Sequence, residues 1–408
     1  MTSTDLQPHT PVAALSMAAR LQTVVTELSA EFLERDAVVR AIVIAMLAGQ
    51  HSFLLGPPGT AKSELSRALT ARISGARRWE FQMSKFTSPT KMFGPIDVAA
   101  LTQGEYRQIL DGRATTAHIA FIDEIFKCNL GALNEMLSFL NERLYIPESG
   151  GDPVVCPLIS AVTASNELPA GEEAAAIWDR LTVRLVVDYL TQPVSFDTLL
   201  RSAVAPPAAT VAPTTIELSE LQHAVTVEVP AVTVPVGIID TVSALRRQLA
   251  EAGIVVSDRR WRQSVRLLQA SAWLDARDQV TDNDLAILTH VLWSTLAQRE
   301  TVNAAVVTMI NPDAAAALDE QEALNEQIAQ FNTKQGGDAS DLNNWAINEA
   351  LPKLREIEDR LTVLKTAAQS AGRATDTIDE VMAQHAAFNR QIMVDVLKIR
   401  TPRTGAAQ

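Results

Sequence analysis

The stretch FLLGPPGTAKSELSRAL, Phe53 to Leu69, joins an apolar run to an amphipathic helical pattern through a loop of glycine and proline. It fits the spacing G-x-x-x-x-G-K-[ST] through Gly56, Pro57, Pro58, Gly59, Thr60, Ala61, Lys62 and Ser63, with one departure. Ala61 stands where the second glycine belongs. In such a loop successive backbone N–H groups point inward at phosphate oxygens. The lysine ammonium reaches the β- and γ-phosphates, and the next hydroxyl joins a Mg²⁺ shell. The helix beginning near Lys62 adds its terminal amides to the pull on an anion. Glu64, in its first turn, is grouped with the loop as a nucleotide-binding position. A tight turn with a chance lysine is the alternative, and Ala61 keeps it open.

Outward from that loop, the chain of 408 residues is long enough for two or three domains. Hydrophobic residues make up 47% and charged residues 20%, the balance of an ordinary globular protein. Acidic residues outnumber basic ones 48 to 35, a formal charge of −13, which argues against general affinity for nucleic acid or anionic membrane. Two cysteines, Cys128 and Cys156, make no disulfide framework and suit a reducing compartment. The start, MTSTDLQPHTP, lacks the basic cluster and apolar stretch of a secretory signal, so a cytoplasmic location is expected. The longest apolar run, Ala41 to Gly49, is about half of the ~20 residues that a membrane helix needs, and no span is expected.

Helical spacing over Val12–Ala48 predicts two helices before the first strand. The runs His51–Leu55, Trp79–Met83, His118–Ile122, Leu158–Ala164 and Val183–Val187 read as short strands alternating with helical segments, which predicts a parallel sheet covered on both faces. Residues 1–205 form this αβ core. Arg201 to Arg246 encloses no other Lys or Arg and contains APPAATVAPTT and VEVPAVTVPVG, so 206–235 reads as a Pro-rich linker with extended pieces. Helical patterns over Gly237–Ala252, Asp258–Ala276 and Asn283–Gln298 predict a small helical domain, 236–311, with a capping box at Thr281/Asp284. Over 312–408 the spacing of Leu324, Ile328 and Phe331, of Leu354, Ile357, Leu361 and Leu364, and of Ile378, Val381, His385, Phe388 and Ile392 predicts a long-helix hairpin or bundle. Breaks are expected at Gly336-Gly337 and Gly372, and His385 reads as a packed seam residue.

A phosphate loop supports hydrolysis only when metal and water are positioned as well. HIAFIDEIFK, His118 to Lys127, is an apolar strand ending in Asp123 and Glu124. There the aspartate can order Mg²⁺, and the glutamate can take a proton from the attacking water.

GPPGTAKS, FGPIDV, FIDEIFK, LNEMLSFLNER, ASNELP, WDRLTVR and SDRRWRQSVRLLQASA, in this order, resemble the MoxR branch of AAA+ ATPases, nearest its RavA type, over about Glu31 to Gln298. The resemblance implies an AAA+ parallel-sheet core with flanking helices, an all-helical lid, ATP and Mg²⁺ at subunit junctions, and a ring of identical chains, usually hexameric. It implies remodelling of protein clients, commonly beside a von Willebrand A-domain partner. Asn166 would serve as sensor 1. Arg180, or as second choice Arg184, would be the arginine presented to the neighbouring subunit's ATP. Arg259, on the first turn of a helix capped by Ser257, would be sensor 2, with Arg260 facing elsewhere. SKFTSPTKMFGPIDVAALTQGEYRQILDGRATTA resembles the branch's helix-2 insertion, a hairpin, and NERLYIPESGGDPVVCPLIS fits a hairpin with a Gly-Gly turn. The strand-rich partner-binding segment of the RavA type has no counterpart in the C-terminal helices. Two readings compete with the ATPase ring: a nucleotide-gated scaffold with negligible turnover, and a nucleic-acid translocase, which the acidic balance disfavours.

Overall fold

Four residues, Ser52–Leu55 (β1), carry the phosphate-loop pattern into a sheet and are buried along their whole length. The computed structural model describes residues 16–147, 152–169, 174–204, 212–335, 339–370 and 373–398. In chain order the further strands are β2 (Ile73–Ser74), β3 (Arg78–Gln82), β4 (Ile119–Asp123), β5 (Leu144–Tyr145), β6 (Val154–Val155), β7 (Ser160–Ser165), β8 (Val183–Val186) and β9 (Ile216–Glu217). With β1, four of them form a five-stranded parallel sheet in the order β3-β4-β7-β1-β8. Phe53, Leu54, Phe121, Ile122, Ala161 and Val162 are buried, as strands covered on both faces must be. Each such large side chain contributes about 1.5–3 kcal/mol on burial. One face is covered by α2 (Asp36–Leu47), whose residues Val38, Val39 and Ala41 to Leu47 are all buried; it packs against β7 and β8 and against the lid helix Asp258–Leu274. A helix apolar nearly all round requires such an enclosed place. α1 (Met17–Glu31), capped by Ser16, precedes it.

The chain divides into two units, Met1–Val302 and Asn303–Gln408. The first also holds the lid: helices Val236–Glu251 and Asp258–Leu274, a 3₁₀ run Asp282–His290, and the start of the helix Gln298–Ile310. The capping box forms, and Asp284, 1% exposed, receives both terminal nitrogens of Arg277 at 2.7 Å. The expected helix Asn283–Gln298 is corrected: the chain runs as 3₁₀ to His290 and restarts as α-helix only at Gln298. The described part of the expected linker is corrected too. β9 pairs in parallel with β2, and Leu218–His223, a π turn Ala224–Glu228 and Val229–Ala231 are helical. Leu221, Ala224 and Val229 are buried, and Glu228 accepts a hydrogen bond from the Trp273 indole at 2.9 Å, so tertiary burial overrides the β-branched composition.

The expected helix-2 hairpin is instead two short helices, Pro89–Phe93 and Val98–Thr102, with one antiparallel bridge, Ile96 to Gln108. The second hairpin is present as the antiparallel pair β5 and β6; its Gly150-Gly151 turn lies outside the described residues. Gly336-Gly337, Gly372, residues 205–211 and the first fifteen residues lie outside them as well. The second unit is a bundle of Pro312–Lys334, Leu351–Ser370 and Asp376–Gln391, with Leu324, Phe331, Leu354, Ile357, Leu361, Ile378, Val381 and Phe388 in its core. His385 is buried there, its Nε2 bonded at 2.8 Å to the Leu354 carbonyl, as a packed seam histidine.

Candidate nucleotide site

β1 ends at the loop. Gly56 lies so close to β8 that a Cβ on it would sit 2.0 Å from the Val187 carbonyl oxygen, so only glycine fits. Ala61 has φ +62° and ψ +21°, the left-handed conformation, immediately before α3 (Lys62–Ala71). The alanine therefore keeps the backbone turn that glycine would supply, at a strain of about 1–2 kcal/mol. Lys62 is 8% exposed, and its Nζ donates to the carbonyls of Gly56 and Pro57 at 2.7 Å each and to Thr60 Oγ1 at 3.3 Å. Burial lowers its pKa, and the carboxylates of Asp123 and Glu124 act in the opposite direction. A cavity of about 720 Å³ is lined by Pro58 through Glu64 together with Arg67, Gln82, Asp123, Glu124 and Asn166.

The acids enter from β4 and its end. Asp123 Oδ1 accepts the Glu124 amide at 2.9 Å; burial raises its pKa, and Lys62 is among the groups that oppose the rise. Glu124 has φ +54°, which turns the chain sharply as it leaves the strand. Its Oε1 accepts from Asn166 Nδ2 at 3.1 Å and from Lys127 Nζ at 2.8 Å, whereas Oε2 is buried without a hydrogen-bond partner. Among the described residues no group of three or more His, Cys, Asp and Glu side chains could cage a metal. One carboxylate and one hydroxyl, Asp123 and Ser63, beside a phosphate cradle are what Mg²⁺ needs when it arrives on a nucleotide and keeps several waters. The donor set fits it.

The arginines separate. Arg184 is fully buried: Nε donates to Leu181 O at 3.0 Å, Nη2 to Trp178 O at 2.6 Å and Nη1 to Trp293 O, with the guanidinium 3.8 Å over the Trp178 ring. Burial disfavours its charge, and these carbonyls replace the lost water. This corrects its candidacy as an arginine offered to another subunit. Arg260 is likewise buried, on the carbonyls of Val291 and Trp293 and the Ser294 hydroxyl. Arg180, ending the helix Ala175–Arg180, is half-buried; Nη1 is bonded to Ala176 O at 2.7 Å, and Nε has no hydrogen-bond partner. Arg259 pairs at 3.2 Å with Asp179, which also accepts from Ser257 Oγ at 2.6 Å. Neither Arg180 nor Arg259 lines the phosphate cavity, so Arg259 is not placed as a sensor over its own chain's loop.

The model of the MoxR domain in the MoxR–vWA–β-propeller ternary systems matches residues 19–223, and that of an AAA lid domain matches 237–306. This chain belongs to the MoxR family of AAA+ ATPases. Two uncharacterised proteins of Methanocaldococcus jannaschii are similar to this MoxR protein. One is 32% identical over 91% of this chain and 97% of its own length, the other 30% identical over 91% and 98%. The fold is also that of a crystallised candidate ATPase from Cytophaga hutchinsonii, at TM-score 0.57 and 16% identity over 72% of this chain and 94% of the other.

Sequence reasoning missed a second cavity of this MoxR core. It measures about 560 Å³, shares Gly59, Thr60, Ala61 and Glu64 with the phosphate cavity, and is walled by Phe32, Leu33, Tyr189, Leu190, Phe196 and Leu199. The last two lie on the helix Pro193–Val204, none of whose residues is buried. Glu34, at the α1–α2 turn, anchors that wall by accepting from the Thr191 and Gln192 amides at 3.0 Å, bonds that bring its pKa down to about 2. The one available signal was the spacing of Phe196 and Leu199 beside Tyr189. Arg67 and Gln82 of the phosphate cavity carried no motif at all.

Proposed function

We propose that this MoxR protein hydrolyses ATP with Mg²⁺ in a ring of identical chains, hexameric by family likeness, and uses the cycle to remodel or help mature protein complexes. The observation that carries the proposal is a single cavity lined by the phosphate loop, Asp123, Glu124 and Asn166. Phosphate oxygens would replace the carbonyls that now hold Lys62. Ser63 and Asp123 would hold the metal, whose charge would offset that developing on the transferred phosphoryl group. Glu124 would accept the proton of the attacking water, and Asn166 would orient that water or the terminal phosphate. The apolar cavity beside the loop would take the base, ring against Phe196 and Tyr189. Arg180, outside its own chain's cavity, would act on the adjacent subunit's nucleotide. The name of the matched family supports a von Willebrand A-domain partner.

Mixing two inactive variants tests the ring. Arg180→Ala keeps its loop and Lys62→Ala keeps its arginine, so mixed assemblies should recover turnover that neither has alone. Sedimentation would confirm that mixed assemblies form. No recovery in them would overturn the action of Arg180 across the junction.

A further inference from the structure

We propose that Lys127 is a positioning residue for Glu124, holding its carboxylate by Oε1 so that it stays at the wall of the phosphate cavity, where the attacking water would be deprotonated. The inference rests on the hydrolytic reading above. Lys127 ends the 3₁₀ turn Ile125–Lys127 that follows the glutamate, and it is tied to it twice: its amide donates to the Glu124 carbonyl and its Nζ to Oε1, both at 2.8 Å. The bond raises the pKa of the ammonium, so the group stays charged.

Two donors from different elements thus converge on the same oxygen, Lys127 from the turn and Asn166 from the end of β7. The opposite oxygen, Oε2, is enclosed and has no partner. A carboxylate held by one oxygen loses its rotational freedom and keeps one orientation at the cavity wall. The division of labour between the two donors follows from their chemistry. Asn166 carries an exposed amide on a strand end that lines the phosphate cavity, and it can turn to a phosphate or a water. Lys127 lies within one turn of the glutamate and outside the cavity lining, so it keeps its hold when Asn166 leaves. The left-handed backbone of Glu124 makes the anchor necessary, because the turn alone leaves the side-chain torsions unset.

An ordinary surface ion pair would contribute about 0–1 kcal/mol to stability and nothing to turnover. The test is the full chain as wild type, Lys127→Met, Lys127→Arg, Glu124→Gln and the double variant Glu124→Gln/Lys127→Met, with steady-state and single-turnover ATP hydrolysis and ATP affinity. Lys127→Met should lower kcat by roughly 10- to 100-fold with KM and affinity nearly unchanged, and Lys127→Arg should restore most of it. In the Glu124→Gln background the lysine change should cost nothing further. A wild-type rate in Lys127→Met, or an equal additional loss in the double variant, overturns this inference alone. A wild-type chain that binds ATP without turning it over overturns the hydrolytic reading, and the inference with it.

Discussion

Two clusters of charged side chains, the cavity at the ends of β1, β4 and β7 and the junction between core and lid, use the same residue types to opposite ends. At the junction Arg184 and Arg260 share the Trp293 carbonyl and the Ser294 hydroxyl, while Arg260 Nε makes no hydrogen bond and lies 3.6 Å from Asp179 Oδ1. At the cavity Lys62 holds only loop oxygens, and Glu124 keeps one oxygen with no partner. The junction encloses its guanidiniums in protein and becomes structure. The cavity keeps about 720 Å³ of open space beside its charged groups that a ligand can enter. What separates a structural cation from a functional one here is the open cavity beside it, which Lys62 lines and the fully buried Arg184 does not.

The sharpest way to break this contrast is the pair of arginines four residues apart. Arg180→Ala should lower turnover by ~10³-fold, the scale of a missing arginine finger, while its melting transition stays near wild type. Arg184→Met strips donors from three buried carbonyls and should destabilise the fold by about 3 kcal/mol or more, read as a lower urea midpoint. Equal stability loss in both variants would erase the distinction.

Burial that works against charge, the condition of the junction, also predicts an acid limit. His51 is fully buried; its Nδ1 accepts the Ala161 amide and Nε2 donates to the Leu140 carbonyl, and burial pushes its pKa down to about 3. Burial holds His290 at about 4. On unfolding, both regain the ordinary pKa of about 6.5 and take up protons that the native state refuses. Stability should therefore be full above about pH 6.5 and fall towards pH 4 by up to about 1.4 kcal/mol per pH unit for each histidine. Urea titrations at pH 7.5, 6.0 and 5.0 measure it, and equal midpoints would contradict neutral burial.

Smaller effects sharpen the cavity side. Phe196→Ala should weaken ATP by about 10-fold while leaving inorganic triphosphate unaffected, because in the proposed pose the ring would touch only the base. Equal weakening of both would move the base elsewhere. Ala61→Gly relieves a left-handed alanine but adds freedom to the unfolded chain, so its stability should change by less than about 1 kcal/mol.

The sheet and its cavity were legible because each strand is a short apolar run and each functional residue follows at its end, as Asp123 and Glu124 follow Phe121 and Ile122. The ordered segment after residue 212 was not. VEVPAVTVPVG has the composition of an extended chain, and only the burial of Val229 and the Trp273–Glu228 bond make its first part helical. Arg184 reads like Arg180 because sequence does not reveal which of two arginines meets the carbonyls of Trp178, Leu181 and Trp293. The apolar cavity beside the loop was invisible because Phe32, Tyr189 and Phe196 come from separate segments that local spacing does not join.

Lys62 is expected to bind nucleotide and Glu124 to turn it over. The most direct measurement pairs equilibrium ATP binding with single-turnover hydrolysis in Glu124→Gln, with Lys62→Ala alongside. Glu124→Gln should bind Mg-ATP with wild-type affinity and hydrolyse it at least ~100-fold more slowly, and Lys62→Ala should not bind it. Unchanged hydrolysis in Glu124→Gln, or equal loss of ATP affinity in both variants, would overturn the roles of these two residues.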